Sequence, residues 1–534
     1  LNQRKQYPGK IFFGCILPAV LLLFFETATA QNPRIKCYFN HPVNNSISTG
    51  ANAIYLNGSF PDTIAAYINR AKYSVDVCLY NFTAFNNSNT AKIATAANAA
   101  VNRGVNIRWI YNGTAATNNT GLSLLSPLVQ KFASPNYDSY IMHNKFMVVD
   151  VNSPDSNDAV VLTGSYNWSD QQATADYNNL VFIQSKQVCL AFYHEFNKMW
   201  GGTSLTPNAA NAAFSTFKTA SGLTQFNVDG TLVEVYFSPK DALNTRLQSS
   251  IQTAEHGLFF GVYTFTDNTT ANLIKNKYLQ GLFVRGIMDD FSQPFNAYST
   301  LAPVLGSDML LFSGSNSYHS KTMLVDPLNP YSDPMVFTGS YNWTTQGTVS
   351  NDENVVVIHD AAIANQHYQS MCRDFTELGG IACVAPPCPS GTFAIASSVK
   401  GSSYQWQADT GNGFENISNS SYYNGTNNLN LTLTNAPTAW YGQRYRCLVN
   451  GSAFSDTTLL AFTAYWNGSS STAWEDAANW NCGVLPDANT DVVINNGVKF
   501  YPVVNLSTSC RSVRLNKNAM ALLMAGIQLV LTGK

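Results

Sequence analysis

The segment His143-Asn144-Lys145-Phe146-Met147-Val148-Val149-Asp150 decides how this chain is read, because its framework returns as His319-Ser320-Lys321-Thr322-Met323-Leu324-Val325-Asp326. Each copy sets a His, then a Lys, then an Asp after four intervening residues. Each is followed by the same pentapeptide, Gly164-Ser165-Tyr166-Asn167-Trp168 and Gly339-Ser340-Tyr341-Asn342-Trp343. One His-x-Lys is noise. Two copies with the same companions at nearly the same spacing mark an internal duplication. The flanking residues are apolar and β-prone, so both copies read as strands, whose side chains alternate between faces. His143 and Lys145 then share a face, as do His319 and Lys321, Ser165 and Asn167, and Ser340 and Asn342. Asp150 and Asp326 lie at odd offsets and point the other way if the strands stay regular. They are expected at strand ends or behind the reacting groups.

The residue types set the chemistry. An imidazole titrates near neutrality and serves as nucleophile or proton donor. Lys and Asn offer positive charge and amide donors to the non-bridging oxygens of a phosphoryl group. Two His face to face supply one attacker and one leaving-group acid, the inventory for splitting a phosphodiester through a covalent phosphohistidine, with no metal or other cofactor.

The doubled His-x-Lys-x4-Asp followed by Gly-Ser-x-Asn resembles the signature of the phospholipase D superfamily, over about residues 50 to 380. The resemblance implies catalytic roles for His143, Lys145, Asn167, His319, Lys321 and Asn342, supported by Asp150, Asp326, Ser165 and Ser340. It also implies a pseudo-twofold axis that brings the two motifs together. Fifteen residues after Gly339 the chain reads Asn351-Asp352-Glu353-Asn354, and at the same spacing after Gly164 it reads Asp176-Tyr177-Asn178-Asn179. Family members often carry a carboxylate at the position of Glu353 to orient an imidazole; in the first half Asn178 takes that place. An amide accepts a hydrogen bond but does not stabilise an imidazolium as a carboxylate does. The two His are therefore expected to differ in pKa. By family analogy His143 attacks, while His319 is the acid and then the base for water.

Arg4, Lys5 and Lys10, an apolar run from Ile11 to Phe25 and an Ala28-Thr29-Ala30 site read as a secretory leader cleaved after Ala30, and so a secreted or surface location. The run is shorter than the roughly 20 residues that span a bilayer, and Pro18 interrupts it. Cleavage would leave 27 basic and 31 acidic residues of the original 30 and 32. A nucleic-acid binder usually shows a basic patch; this mildly acidic chain has no Lys/Arg cluster, which weighs against a dedicated nuclease. Nine Cys beyond the leader suit an oxidising compartment, with at least one unpaired. Disulfides are a better use of Cys383 and Cys388 than metal, since no second pair or His cluster completes a site. The Asn-x-Ser/Thr triplets read as composition in a chain rich in Asn and Thr.

Helices and strands alternate in both halves, which argues for α/β lobes. The expected fold is α/β: two duplicated phospholipase D-like lobes, each a mixed sheet flanked by helices, packed with pseudo-twofold symmetry, then all-β modules. The expected boundaries are 1–30 leader, 31–225 and 226–382 lobes, 383–463 immunoglobulin-like sandwich, and 464–534 small β module. Pro386, Pro387 and Pro389 mark the linker. Trp406 on one strand and Tyr445 two residues before Cys447 on another resemble an immunoglobulin-like sandwich with its tyrosine corner, with Cys388 as the candidate partner of Cys447. The last module resembles those appended to bacterial surface proteins. Its aromatics are better placed in a core than on a glycan or wall polymer, and Cys482 with Cys510 form a candidate bridge.

The leading expectation is a secreted phosphodiesterase acting on phospholipid head groups by hydrolysis or transfer. An endonuclease of the same superfamily is the alternative, with the same chemistry on DNA or RNA, and a non-catalytic surface adhesin is a third. His194 is expected in packing, and His41, His256, His359 and His367 lack repeated companions. Trp168 and Trp343 are expected to wedge into the core, and Asp289-Asp290 to be solvated.

Overall fold

The computed structural model describes residues 32–533 except 50, 115–118, 256, 281, 291–296, 329–332, 381–382, 384–387, 389–390, 398, 400, 456, 495–497 and 516–518. The leader, His256 and the prolines of the linker lie outside the described residues.

Two eight-stranded sheets carry the duplication. In the first, the strands run in the order Ile54–Tyr55, Ile35–Phe39, Asn179–Ile183, Val160–Gly164, Lys145–Val149, Ser74–Leu79, Asn106–Tyr111, Gln130–Ala133. In the second the order is Gln225–Val228, Thr231–Phe237, Asn354–His359, Met335–Gly339, Lys321–Val325, Gly257–Val262, Phe283–Asp289, Met309–Phe312. Beyond the edge strand the two orders match position for position. Both are mixed: Lys145–Val149 runs antiparallel to both neighbours, whereas Ser74–Leu79 pairs parallel with Asn106–Tyr111. The His strands are buried along their whole length, and Val, Met, Phe and Leu fill both faces, as a central strand between two helical layers requires.

One helical layer is private to each lobe. Helices Phe60–Arg70 and Ala91–Asn102 close the first lobe around Trp109 and Trp168; Leu243–Thr253 and Asn268–Leu279 close the second around Phe260 and Trp343. The other layer is shared. Lys186–Trp200, capped by Ser185, places Phe192 against Phe237 of the second lobe, with ring centroids 5.1 Å apart. Ala361–Glu377, capped by Asp360, places His367 against Phe39 of the first at 4.9 Å. One core therefore runs through both lobes, and burial of these aromatic faces is what fixes their mutual position. No described helix is long and apolar enough to cross a membrane.

Beyond the lobes the chain is all-β. Thr392–Ala396, Asn430–Thr434 and Tyr423–Asn424 form one sheet, and Tyr404–Asp409 with Arg444–Val449 centre another, around Trp406, Leu431, Leu433 and Tyr445. The last module is a parallel coil: Asp491 lies beside Ser512, Val503 beside Leu522 and Thr508 beside Leu529 on three separate faces. Trp466, Trp474 and Trp480 fill its interior, so the aromatics build a core.

The structure departs from expectation at several points. The strand Phe462–Trp466 straddles the boundary drawn after residue 463: Phe462 packs in the sandwich and Trp466 in the coil. The disulfides are Cys372–Cys383 and Cys388–Cys482, whereas Cys447 and Cys510 are free and buried. Cys447 sits across from Trp406 inside the sandwich and Cys510 in the interior of the coil, so neither faces the module junction where Cys388 meets Cys482. His194 stands exposed on its helix because the buried stripe there is Phe192, Glu195, Phe196 and Met199. Asp289 is buried and accepts from Tyr318 N at 2.7 Å, while Asp290 is exposed.

Candidate functional site

The backbone turns that frame the site explain the repeated letters. Gly164 and Gly339 adopt φ of 148° and 153°. A Cβ at either would collide with the carbonyl oxygen of Asn179 or Asn354 on the neighbouring strand, so only Gly ends these strands and lets the Ser-Tyr-Asn-Trp segment turn into the site. Tyr166, Trp168, Tyr341 and Trp343 are buried wedges behind that turn. Asp150 and Asp326 stand at the far ends of the His strands in the left-handed region, φ 52° and 48°, which Asp tolerates. Asp150 accepts from the backbone of Lys72, Tyr73 and Ser74; Asp326 accepts from Glu255 N and Gly257 N. Both are strand-end clamps, at the opposite ends of their strands from His143 and His319.

At the near ends the two lobes exchange partners. His143 Nδ1 lies 2.8 Å from Glu353 Oε2 of the second lobe, and His319 Nδ1 lies 3.0 Å from Asn178 Oδ1 of the first. Each acceptor is held by the serine of its own lobe: Ser340 Oγ donates to Glu353 Oε2 at 2.7 Å and Ser165 Oγ to Asn178 Oδ1 at 2.9 Å. Asn178 Nδ2 donates to backbone carbonyls of Gln172 and Asp176, which turns its Oδ1 toward the imidazole. The main chain crosses too, with His143 N donating to Asp352 O at 2.9 Å and Tyr177 N to Ser317 O at 2.9 Å. Both Nδ1 atoms therefore face an acceptor across the lobe junction, which makes Nε2 the nitrogen each ring can offer to a substrate.

The lysines complete a symmetric cluster. Lys145 Nζ donates to His143 O at 3.0 Å and sits 5.2 Å over the ring of Tyr80; Lys321 Nζ donates to His319 O at 2.7 Å and sits 5.0 Å over Tyr263. Asn167 and Asn342 each keep a buried side-chain oxygen with no hydrogen-bond partner. Burial, then the lysine charges, drive both imidazoles well below their ordinary pKa; Lys145 and Lys321 act on each ring, so the two motifs form one electrostatic site. Burial takes Lys145 down to about 7 and Lys321 well below its usual range, and it pushes Glu353 up to about 7. Burial thus holds the charged forms of this cluster at a disadvantage, and an anion placed among the lysines would offset it.

Three sets of residues had escaped the reading of the sequence. Tyr80 and Tyr263, each one residue past equivalent strands, wall the two His with centroids 4.9 Å away. Asn179 and Asn354, repeated fifteen residues after their glycines, tie the lobes: Asn179 bonds Thr322 and Thr338, and Asn354 bonds Thr163 and Lys145 N. That repetition was a visible signal. Lys218, with no repeated counterpart, gave none: it is buried in the connection between lobes and pairs with Glu195 and with Asp352, the neighbour of Glu353.

A family model described as cardiolipin synthase, PLD-like domain matches residues 64–200 and again 247–375. A mitochondrial cardiolipin hydrolase of Drosophila melanogaster is 26% identical over 151 residues, 26% of this chain and 57% of that protein. A phospholipase D of Rickettsia prowazekii is 24% identical over 140 residues, 26% of this chain and 65% of that one. The chain thus spans less than two thirds of these relatives. Among solved structures, the phosphatidylserine synthase of Haemophilus influenzae Rd KW20 is similar with a TM-score of 0.45 and 14% identity, over 66% of this chain and 91% of that one. With one family model matched twice, once on each half of the duplication, the chain belongs to the phospholipase D superfamily.

Proposed function

We propose that this chain is an exported phosphodiesterase that cleaves or transfers phospholipid head groups through a phosphohistidine on His143. The observation that carries the assignment is the unequal pairing of the two rings, Glu353 on His143 and Asn178 on His319. When His143 Nε2 attacks phosphorus, its ring gains positive charge. The carboxylate at Nδ1 stabilises that charge; an amide does so far less. His319, protonated once an anionic substrate is bound, gives its Nε2 proton to the departing alkoxide as the P–O bond breaks. In the second step His319 Nε2 takes a proton from water, the water oxygen attacks phosphorus, and the P–N bond breaks to return His143. Lys145, Lys321, Asn167 and Asn342 hold the non-bridging oxygens.

The lipid reading rests on the acidic balance of the chain and on the leader-like segment; the names of its relatives accord with it. The sandwich around Trp406 and Tyr445 reads as an immunoglobulin-like module, although Tyr445 Oη donates to the Gln443 side chain at 2.9 Å. The all-β modules would present the lobes at a cell surface. The test is incubation of the purified protein with phosphatidylcholine, phosphatidylethanolamine or cardiolipin plus ethanol. Phosphatidylethanol alongside phosphatidate is expected, with acid-labile phosphate on His143. DNA or RNA cleavage in EDTA with no lipid product would replace the lipid reading by the nuclease one; label on His319 would reverse the assignment of roles.

A further inference from the structure

The strip of chain that carries Glu353 is held by a clamp that both halves repeat. Ser238, one residue past strand Thr231–Phe237, donates its N–H to Glu353 O at 3.0 Å and accepts Glu353 N–H on Oγ at 3.0 Å. The same hydroxyl donates to Asn351 O at 2.7 Å. Asn40, one residue past Ile35–Phe39, does this for Asn178. Its N–H donates to Asn178 O at 3.4 Å, its Oδ1 accepts Asn178 N–H at 2.7 Å, and its Nδ2 donates to Asp176 O at 2.5 Å. Each imidazole's acceptor is thus fixed through its own peptide, whose N–H and C=O are both bonded.

Behind the clamp the halves differ. Lys218 Nζ reaches Ser238 O at 2.8 Å and Asp352 Oδ1 at 2.6 Å, so one buried ammonium holds both the residue opposite Glu353 and the residue before it. Glu195 Oε1 completes the pairing at 2.5 Å. Burial works against the ammonium, but the carboxylates of Asp352 and Glu195 outweigh it and hold Lys218 above its ordinary range, so it stays charged. Asp352 is bonded on the other sides too. Oδ1 also accepts from Ser215 N at 2.9 Å, Oδ2 from Tyr140 Oη at 2.6 Å, and its carbonyl from His143 N at 2.9 Å. In the first half, counted from Asn179 and Asn354, Tyr177 stands at the place of Asp352, and its ring stacks on His41 instead. A buried ion pair adds little stability over apolar packing; its better-attested use is to fix one arrangement among several.

We propose that Lys218 and Ser238 are positioning residues for Glu353, which keep its Oε2 on His143 Nδ1. This rests on the reading of His143 as the attacking ring. A ring that gains positive charge as its Nε2 bonds phosphorus needs the carboxylate at Nδ1 throughout the step, and a tilt of the Glu353 peptide would withdraw it. His319 only gives and takes a proton, and the clamp of Asn40 on Asn178 serves it without a cation. The connection between the lobes is thereby part of the site, because its Lys218 acts on the attacking ring through Glu353.

Two readouts separate positioning from a purely structural role. The proton between His143 Nδ1 and Glu353 Oε2 gives a downfield proton NMR resonance in the full chain without substrate, identified by its loss in His143→Ala. Lys218→Met and Ser238→Ala, each shown to be folded by circular dichroism, should both move that resonance upfield. Both should lower kcat on bis(p-nitrophenyl) phosphate about 10- to 100-fold, with KM within about twofold, because the groups that hold the phosphoryl oxygens are untouched. Asp352→Asn, nearly the same shape, weakens the Lys218 bond with less disturbance and decides by the same readouts where Lys218→Met fails to fold. A purely structural Lys218 would lower the unfolding midpoint and leave the resonance and the kcat of the folded variant unchanged. That result, or a rise in KM at constant kcat, would overturn the proposal. The resonance needs no turnover, so an unaltered protein inactive on every phosphodiester would remove the reaction while the shift still decides the role of Lys218 and Ser238.

Discussion

Replacing Lys145 by Met should make the protein more stable while removing its activity. Lys145 is 2% exposed, and burial takes its ammonium down to about 7. Against an ordinary value near 10.4, that depression corresponds to about 4 kcal/mol of folding free energy lost at pH 7. Two contacts offset it: the bond from Nζ to His143 O at 3.0 Å and the approach to Tyr80 at 5.2 Å. Together they contribute about 2 kcal/mol. Met fills the same volume without a charge, so Lys145→Met should gain about 2 kcal/mol at pH 7. The pH dependence separates this cause from better packing. A lysine whose folded pKa is depressed leaves the unfolded chain binding more protons between the two values. The penalty is therefore full below about pH 7 and fades as pH rises toward the unfolded value near 10.4. Urea denaturation of the two proteins at pH 7, 8.5 and 10, followed by circular dichroism, should show a gap that closes with pH, and turnover should fall about 10²- to 10³-fold. A variant less stable than the parent at pH 7, or a gap constant from pH 7 to 10, would refute the reasoning.

Glu353→Gln should lower kcat/KM about 10³- to 10⁴-fold with little change in folding, by analogy with the loss of a carboxylate behind a catalytic imidazole; a loss below tenfold in steady-state assays would detach Glu353 from His143. Asn178→Asp places a charge on His319 and should move the alkaline limb of the pH–rate profile up by about one unit. Inorganic phosphate binding at pH 8 should take up protons, because Lys145, down at about 7, is largely neutral there and regains its charge beside an anion; titration calorimetry in two buffers of different ionisation enthalpy gives the sign. Lys218→Met strands Glu195 and Asp352 without a cation and should cost about 3–5 kcal/mol, seen as a lower unfolding midpoint.

The duplicated strands were legible because their signal is local: alternation, β-branching and a repeated pentapeptide need no knowledge of the partner. The repeat told that the two lobes share a topology, but the strand order itself depends on long-range pairing that the letters do not carry. What the letters did not show is whose acceptor serves which ring. Glu353 and His143 are 210 residues apart, and their contact depends on shared-core packing by Phe192, Phe237, Phe39 and His367. Lys218 was invisible for a similar reason. A lone Lys in a polar connection reads as solvated, and only the fold of that connection onto Asp352 buries it. The cysteine pairing failed because spacing carries no information on which thiols face a junction and which face a core.

The crossed partners make each lobe incomplete alone. His143 draws its Nδ1 acceptor and a backbone bond from the second lobe, and the peptide beside Asn178 donates to Ser317 in return. A gene duplication that produced identical halves would have left two equivalent rings, each able to attack and neither favoured as acid. The present asymmetry arises from few changes at matched positions: Asn178 against Glu353, and Tyr177 against Asp352 with its bound Lys218. Both changes fall on the strip of chain that crosses between lobes, where one side chain alters the ring opposite and its own backbone stays in place. It follows that exchanging the two strips, residues 176–179 for 351–354, should carry the nucleophile to His319, with covalent phosphate on that residue as the readout. Label remaining on His143 after the exchange would show that something other than the paired acceptor selects the attacking ring.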